Sequence, residues 1–199
     1  MKNAGAADTT KETAMTFLIR ILLAFCLAVP FLGVAAPDAL AASKSKIDRR
    51  TQEALTQFRK TVYDGAGLLA RAKGVLVFPA VKKGGFGVGA EAGSGALLIG
   101  GKTVEYYRTA SASIGFQFGG QVRREFILFM EQAPLEAFRN SSNWEVGVDG
   151  SVAIVTLDAG GKYSSETLEK PVLGFVLDSK GLMYNLTIEG QKFSKIDPE

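Results

Sequence analysis

Apolar residues recur at intervals of three and four from Ser43 to Lys73, within an otherwise polar stretch. This spacing predicts an amphipathic helix with one buried stripe, and Ser43 or Ser45 is suited to cap its start. Gly65 and Gly67 lower helix stability, so we expect a break or a second short helix there. The stripe consists of Ile47, Leu55, Phe58, Val62 and Leu69.

From Gly74 onward the pattern changes to that of short β-strands separated by close turns. The run 75–78 is apolar on both faces and is expected to end at Pro79. Small residues alternate with larger ones over 86–98, which predicts a sharply bent strand or a barrel corner. Gly100-Gly101 predicts a hairpin turn, and 134–138 a short helix. Further strands are predicted at 104–106, 112–118, 126–130, 144–148, 152–157, 172–177, 182–188 and 191–196.

These elements predict an α+β fold. Consecutive strands joined by tight turns run antiparallel, and no helix recurs between the strands. We therefore expect an antiparallel sheet curled into a barrel or sandwich, with the N-terminal amphipathic helix packed on it.

The N-terminus reads as a targeting segment. Residues 21–36 form an apolar run that follows Arg20, and Ala39-Leu40-Ala41 is a small-residue cleavage pattern. We expect a signal peptide over 1–41, cut near Ala41/Ala42, and a single domain over 42–199. The alternatives are an uncleaved anchor helix and acylation at Cys26. In each case the domain is expected outside the cytoplasm, periplasmic or associated with the outer membrane of a bacterium.

Composition removes most enzyme classes. The chain has 199 residues, no histidine and one cysteine, so zinc sites built on these residues and histidine-based triads or dyads lack their parts. The run 96–103 resembles a phosphate-binding loop only loosely, because its centre is strand-like and no long helix follows. We expect a protein that is not an enzyme, with no catalytic residue, cofactor or metal. A hydrolase based on carboxylates or lysine is the remaining enzymatic alternative.

Positive charge is concentrated between Lys44 and Lys83. This segment has a net charge of +7, whereas the whole chain has +3. A basic amphipathic helix beside basic loops is suited to an anionic membrane surface; the alternative is a solvated face of an ordinary packed helix. Long basic tracts are absent, so we expect no nucleic acid partner. The candidate lipid-binding residues are Lys44, Lys46, Arg49, Arg50, Arg59, Lys60, Arg71, Lys73, Lys82 and Lys83.

Several segments in order resemble the SYLF domain, the lipid-binding and actin-regulator family, over about residues 44–196. They are 72–79 (AKGVLVFP), 83–89 (KGGFGVG), 113–121 (SIGFQFGGQ), 171–176 (PVLGFV) and 180–186 (KGLMYNL). The resemblance implies a lipid-binding module and not an enzyme. In eukaryotic members, phosphoinositide binding is attributed to an N-terminal amphipathic helix and basic residues. The matching positions are the basic residues of 44–60, together with Lys73, Lys82 and Lys83.

The expected partner differs from that of eukaryotic members. A bacterial secreted member would meet phosphatidylglycerol or cardiolipin, since neither actin nor phosphoinositides are expected in an envelope. We therefore expect a non-enzymatic envelope protein that binds anionic phospholipid headgroups or a membrane surface. The alternative is a structural or surface-displayed envelope protein that binds a protein partner.

Overall fold

The structure is a computed structural model. It describes residues 43–86, 88–114, 121–155, 163, 165–178, 181–182 and 188–199. All of them lie within the compact unit Leu40–Glu199. The helices are α1 (Lys44–Thr61), α2 (Gly65–Arg71), α3 (Gln132–Asn140) and α4 (Ser165–Leu168). The strands are β1 (Gly74–Phe86), β2 (Val88–Ile99), β3 (Lys102–Ile114), β4 (Gln121–Phe129), β5 (Asn143–Glu145), β6 (Ala153–Ile154), β7 (Val172–Leu177) and β8 (Lys192–Ile196).

Some predictions fall outside the described residues. These are the targeting segment 1–41 with its cleavage site, the end of the strand predicted over 112–118, the end of that over 152–157, and most of that over 182–188.

The amphipathic helix and the second short helix are confirmed. Ile47 and Phe58 of the predicted stripe are buried, and α2 begins at Gly65 as the glycine signal indicates. Ser43 occupies the N-cap position of α1, but its side chain makes no cap hydrogen bond. The Ser43 Oγ instead lies 3.2 Å from the Ser45 Oγ.

The α+β fold is confirmed, with a correction to the sheet. Eight strands in the order β5-β8-β3-β2-β1-β4-β7-β6 curl into a half-barrel. The prediction of a purely antiparallel sheet is wrong at one edge, because β6 runs parallel to β7. Residues 155–171 join these two strands in place of a tight turn, so the argument from short turns does not apply to them.

The strand that was expected to end at Pro79 continues to Phe86. It does so through a β-bulge, because its register shifts between Val77 and Lys82 against β2, and between Phe78 and Val81 against β4. Proline lacks a backbone donor, and a bulge is one of the few places where a central strand tolerates it. The bulge also changes the phase of side-chain alternation, so Phe78 and Val81 both contact the same core cluster.

Each face of the sheet has its own hydrophobic core. On one face, α1 packs Phe58 against Phe126 and Phe175, with ring centroids 4.7 and 5.0 Å apart. On the other, aromatic side chains of α3, β5 and β8 interlock, with Trp144 stacked on Phe193 at 5.8 Å. The sheet is therefore covered on the α1 side by a helix whose apolar side packs against it.

Glycine in β2 is required by the close approach of β1. A Cβ atom built on Gly95 would overlap the carbonyl oxygen of Val77, and one on Gly93 would lie 2.7 Å from that of Ala80. Backbone crowding is thus present at Gly93 and Gly95, two of the small residues from which a bend was predicted. The predicted hairpin turn is confirmed, since Gly100 and Gly101 adopt φ of 57° and 77°.

We expect Gly95→Ala to destabilise the protein by about 2 kcal/mol, because the added methyl group forces β1 and β2 apart. Ser94→Ala, at the half-buried position between Gly93 and Gly95, is the control and should change stability by less than about 0.5 kcal/mol. Urea unfolding measures both. Equal stability of the two variants would contradict the close approach.

Candidate functional site

The outward face of α1 carries most of its positive charge. The helical period places Lys46, Arg49 and Lys60 opposite the buried stripe, with Arg50 and Arg59 on its two flanks. All five are exposed. We call these five residues the α1 basic face. Arg59 and Lys60 lie in the last turn of α1, where the helix dipole favours cations.

Little of this positive charge is neutralised. Arg49 pairs with Glu53 at 3.9 Å, and both side chains are about 70% exposed, so water screens the pair. The other four cations of the α1 basic face form no ion pair with any residue that the structure describes. Lys44, at the helix start, pairs with Asp197 at 2.9 Å.

Asp48, the other acidic residue of α1, lies on the side of the helix that faces the sheet. Asp48 accepts hydrogen bonds from the hydroxyl groups of Thr103 and Tyr106, each at 2.9 Å. These bonds join the N-terminal half of α1 to β3 and fix the rotation of the helix. They also direct one negative charge away from the α1 basic face.

The predicted cations outside α1 differ in ion pairing and in the side of the sheet on which they lie. Lys73 and Lys82 are exposed and form no ion pair within the described ranges, whereas Arg71 pairs with Asp64 at 3.2 Å. The bulge in β1 places Lys82 on the α1 side of the sheet and Lys83 on the other side. The ten predicted residues therefore do not form one continuous surface, and Lys83 in particular lies apart.

Lys83 belongs to a buried polar network that the sequence did not reveal. Its Nζ lies 3.2 Å from Glu91, which also accepts hydrogen bonds from Arg123. The Arg123 Nε donates to Glu125 Oε1 at 2.6 Å, and the Gln191 Nε2 donates to the same oxygen at 3.1 Å. This network lies on the face of the sheet opposite α1. Its charged residues come from β1, β2 and β4, and only the register of these strands brings them together.

Glu125 sits in this network as an acid that resists ionisation. Burial raises its pKa, and this effect exceeds the opposing influence of Arg123 and Gln191. The Oε2 of Glu125 and the Oε1 of Gln191 are both buried without a hydrogen-bond partner. A proton on Glu125 Oε2 would remove the negative charge from this unpartnered oxygen, in keeping with the raised pKa of Glu125.

The carboxylate of Glu105 joins α3 and β8 to β3. Glu105 accepts hydrogen bonds from Tyr107 at 2.8 Å, Lys195 at 3.1 Å and Arg139 at 3.2 Å. Burial opposes its ionisation, but the donors Arg139, Tyr107 and Lys195 prevail and hold the pKa of Glu105 below its usual value. The arrangement is a structural clamp, with its charges already satisfied.

A half-open groove of about 400 Å³ lies between α1, α2 and the β2–β3 turn. Its floor is formed by Leu55, Val75 and Leu98, and Arg59 lines it from α1. No sequence pattern indicates this groove, because its walls come from several separate elements.

Metal sites and membrane-spanning helices are both absent from the described residues. No group of three acidic, histidine or cysteine side chains there is placed to hold a metal ion. Within the same residues, no helix has the length and apolar character needed to cross a membrane.

The adjacent residues Lys82 and Lys83 give a matched test of the bulge. Lys82→Glu should change the free energy of unfolding by less than about 0.5 kcal/mol, because the side chain is exposed. Lys83→Glu should lower it by about 2 kcal/mol or more, because it places a carboxylate against buried Glu91. Urea unfolding measures both, and the reverse order would contradict the assigned register.

Glu125 should make stability depend on pH. Because its pKa is raised in the folded state above 4.5, the native protein binds an extra proton, and stability falls as pH rises from about 4.5 through the folded pKa. Glu125→Gln should remove this fall and preserve stability at pH 8. Glu91→Gln is the contrast, since it removes the carboxylate that pairs with both Lys83 and Arg123. Loss of stability at pH 8 in Glu125→Gln equal to that in Glu91→Gln would contradict a raised pKa of Glu125.

Comparison with known protein families gives a match for the C-terminal part of the chain. Residues 110–198, which run from within β3 to the C-terminal end, match the model of the family described as "Ysc84: Las17-binding protein actin regulator". A search of curated proteins finds no match. The family is known for lipid binding and actin regulation, and it is not a known enzyme family. The resemblance to SYLF is thereby confirmed over residues 110–198, which match the Ysc84 (SYLF) family model.

Proposed function

We propose that this protein binds the surface of membranes rich in anionic phospholipid, through the α1 basic face and without catalysis. The observation that carries the proposal is the set of exposed cations on one side of α1, of which only Arg49 has an ion pair among the described residues. Each basic residue near an anionic surface contributes about 1 kcal/mol, and the attraction decays within a Debye length. Several cations acting together give weak, salt-sensitive binding.

The binding mode follows from how α1 is packed. Interfacial helices usually bury their apolar face among lipid chains. Here Ile47 and Phe58 are at most 2% exposed because the sheet already covers them. The α1 basic face itself therefore contacts headgroups and not lipid chains. Tyr63, which is 79% exposed just after α1, is suited to the interface because it has both an apolar ring and a hydroxyl group.

The other predicted cations have secondary parts in this proposal. Lys44, Arg71, Lys73 and Lys82 are exposed and add to the positive potential, although Lys44 and Arg71 each have an acidic partner. Lys83 is assigned to the buried network and is not expected to contact lipid.

The place of action is part of the proposal. If residues 1–41 direct export, the protein acts in the periplasm or at the outer membrane of a bacterium, where phosphatidylglycerol or cardiolipin would be the ligand. A protein partner in the envelope is the second candidate, because the matched family is described by a protein that it binds.

Vesicle sedimentation with matched charge reversals tests the proposal. Lys46→Glu/Lys60→Glu should reduce binding to vesicles containing phosphatidylglycerol by about tenfold or more at low salt. Lys102→Glu/Lys170→Glu changes the net charge equally at two exposed lysines outside α1, and should have a much smaller effect. High salt should release the unmodified protein, and vesicles of phosphatidylcholine alone should not bind it.

Two results would contradict the proposal. One is equal loss of binding in both double variants, which would mean that net charge alone decides. The other is no binding to any vesicle, together with saturable, salt-sensitive binding of a purified envelope protein to the α1 basic face, which would favour the second candidate.

A further inference from the structure

The groove between α1, α2 and the β2–β3 turn combines an apolar floor with one cation. Leu55, Val75 and Leu98 of the floor belong to the core on the α1 side and are 3–8% exposed. Leu69 and Ala70 of α2 form one wall. A ligand that reaches the floor would therefore contact hydrocarbon side chains that are otherwise hidden from water.

Small residues create the volume of this groove. The α2 side is lined by Ala66, Ala70 and Ala72, and the opposite rim by Gly100 and Gly101. A Cβ atom built on either glycine would meet no other atom within 4 Å, so the rim is open. The cavity of about 400 Å³ falls within the range of about 300–1,000 Å³ that is typical of small-molecule sites.

Arg59 gives the groove its chemical selectivity. Its side chain is exposed, lines the groove and forms no ion pair among the residues described. The planar guanidinium matches the oxygen geometry of a carboxylate or phosphate group. An apolar cavity with a guanidinium on its wall is complementary to a ligand that has an aliphatic chain and an anionic head.

We propose that this groove binds one aliphatic chain of an anionic amphiphile, with the anionic head on Arg59. The inference deepens the proposed function and rests on it, because it identifies where a chain would be held once the headgroups of a membrane are engaged. Two sources share this chemistry, namely a free fatty acid and a single-chain phospholipid. In contrast to the headgroup contact made by the α1 basic face, this site is saturable and depends on chain length.

Monomeric amphiphiles, added below their micelle-forming concentrations, test this site without any vesicle. The probes are laurate and lysophosphatidylglycerol with a lauroyl chain, and binding is followed by calorimetry and by NMR of leucine methyl groups. The methyl signals of Leu55, Leu69 and Leu98 should shift, whereas those of Leu76 and Leu135, in the other core, should not. Octanoate should bind more weakly than laurate, because its shorter chain buries less apolar surface.

Matched variants separate the groove from the basic surface. Ala70→Trp fills the groove and should lower probe affinity roughly tenfold, and Ala66→Trp is a second blocking variant. Ala137→Trp, at an exposed alanine of α3, should have no effect. Arg59→Gln should lower probe affinity roughly threefold to tenfold. Arg108→Gln removes the same charge at an exposed position of β3 that does not line the groove, and should leave probe affinity unchanged.

The outcomes distinguish this inference from the proposed function. Saturable binding of either probe that both blocking variants weaken supports the groove, and the probe that binds identifies the source of the chain. Binding of neither probe, or equal effects of Ala70→Trp and Ala137→Trp, overturns the inference even if vesicle binding persists. If the probes bind but vesicles do not, the groove stands and the membrane proposal fails.

Discussion

The apolar stripe of α1 on the sheet is the interaction on which the rest of the account depends. Phe58 lies between Phe126 and Phe175, and Asp48 is held by two hydroxyl groups of β3. Together they fix the rotation of the helix about its own axis. Since the apolar side is fixed inward, the basic side is fixed outward, and lysine and arginine reach the solvent without any need to bury their charge.

The bulge in β1 is the second constraint, because it decides which of two neighbouring lysines is available. The extra residue near Pro79 turns Lys82 toward the α1 side and Lys83 toward Glu91. A buried acid beside Arg123 thus acquires a second cation. Buried charges are stable only when paired. The side-chain alternation of β1 therefore determines both the stability of this network and which of the two lysines remains exposed.

Local features of this fold could be predicted from the sequence, and features that depend on strand register could not. The apolar spacing around Phe58 gave the helix, and Gly100-Gly101 gave the turn, because each is decided by neighbouring residues. The continuation of β1 beyond Pro79 depends on a bulge that tertiary pairing creates. The network around Arg123 and the groove beside Arg59 are formed by residues from several elements. The spacing of apolar residues along the sequence therefore does not predict them.

The most direct test of the central claim is the accessibility of spin labels on the membrane-bound protein, in a chain with Cys26→Ser. One label replaces Thr56, which is exposed in the middle of the outward face of α1, and the other replaces Val148, which is 74% exposed in the turn after β5. When vesicles containing phosphatidylglycerol are added, the label at 56 should lose contact with a water-soluble relaxing agent, whereas the label at 148 should not. Protection at 148 with full access at 56 would contradict the account.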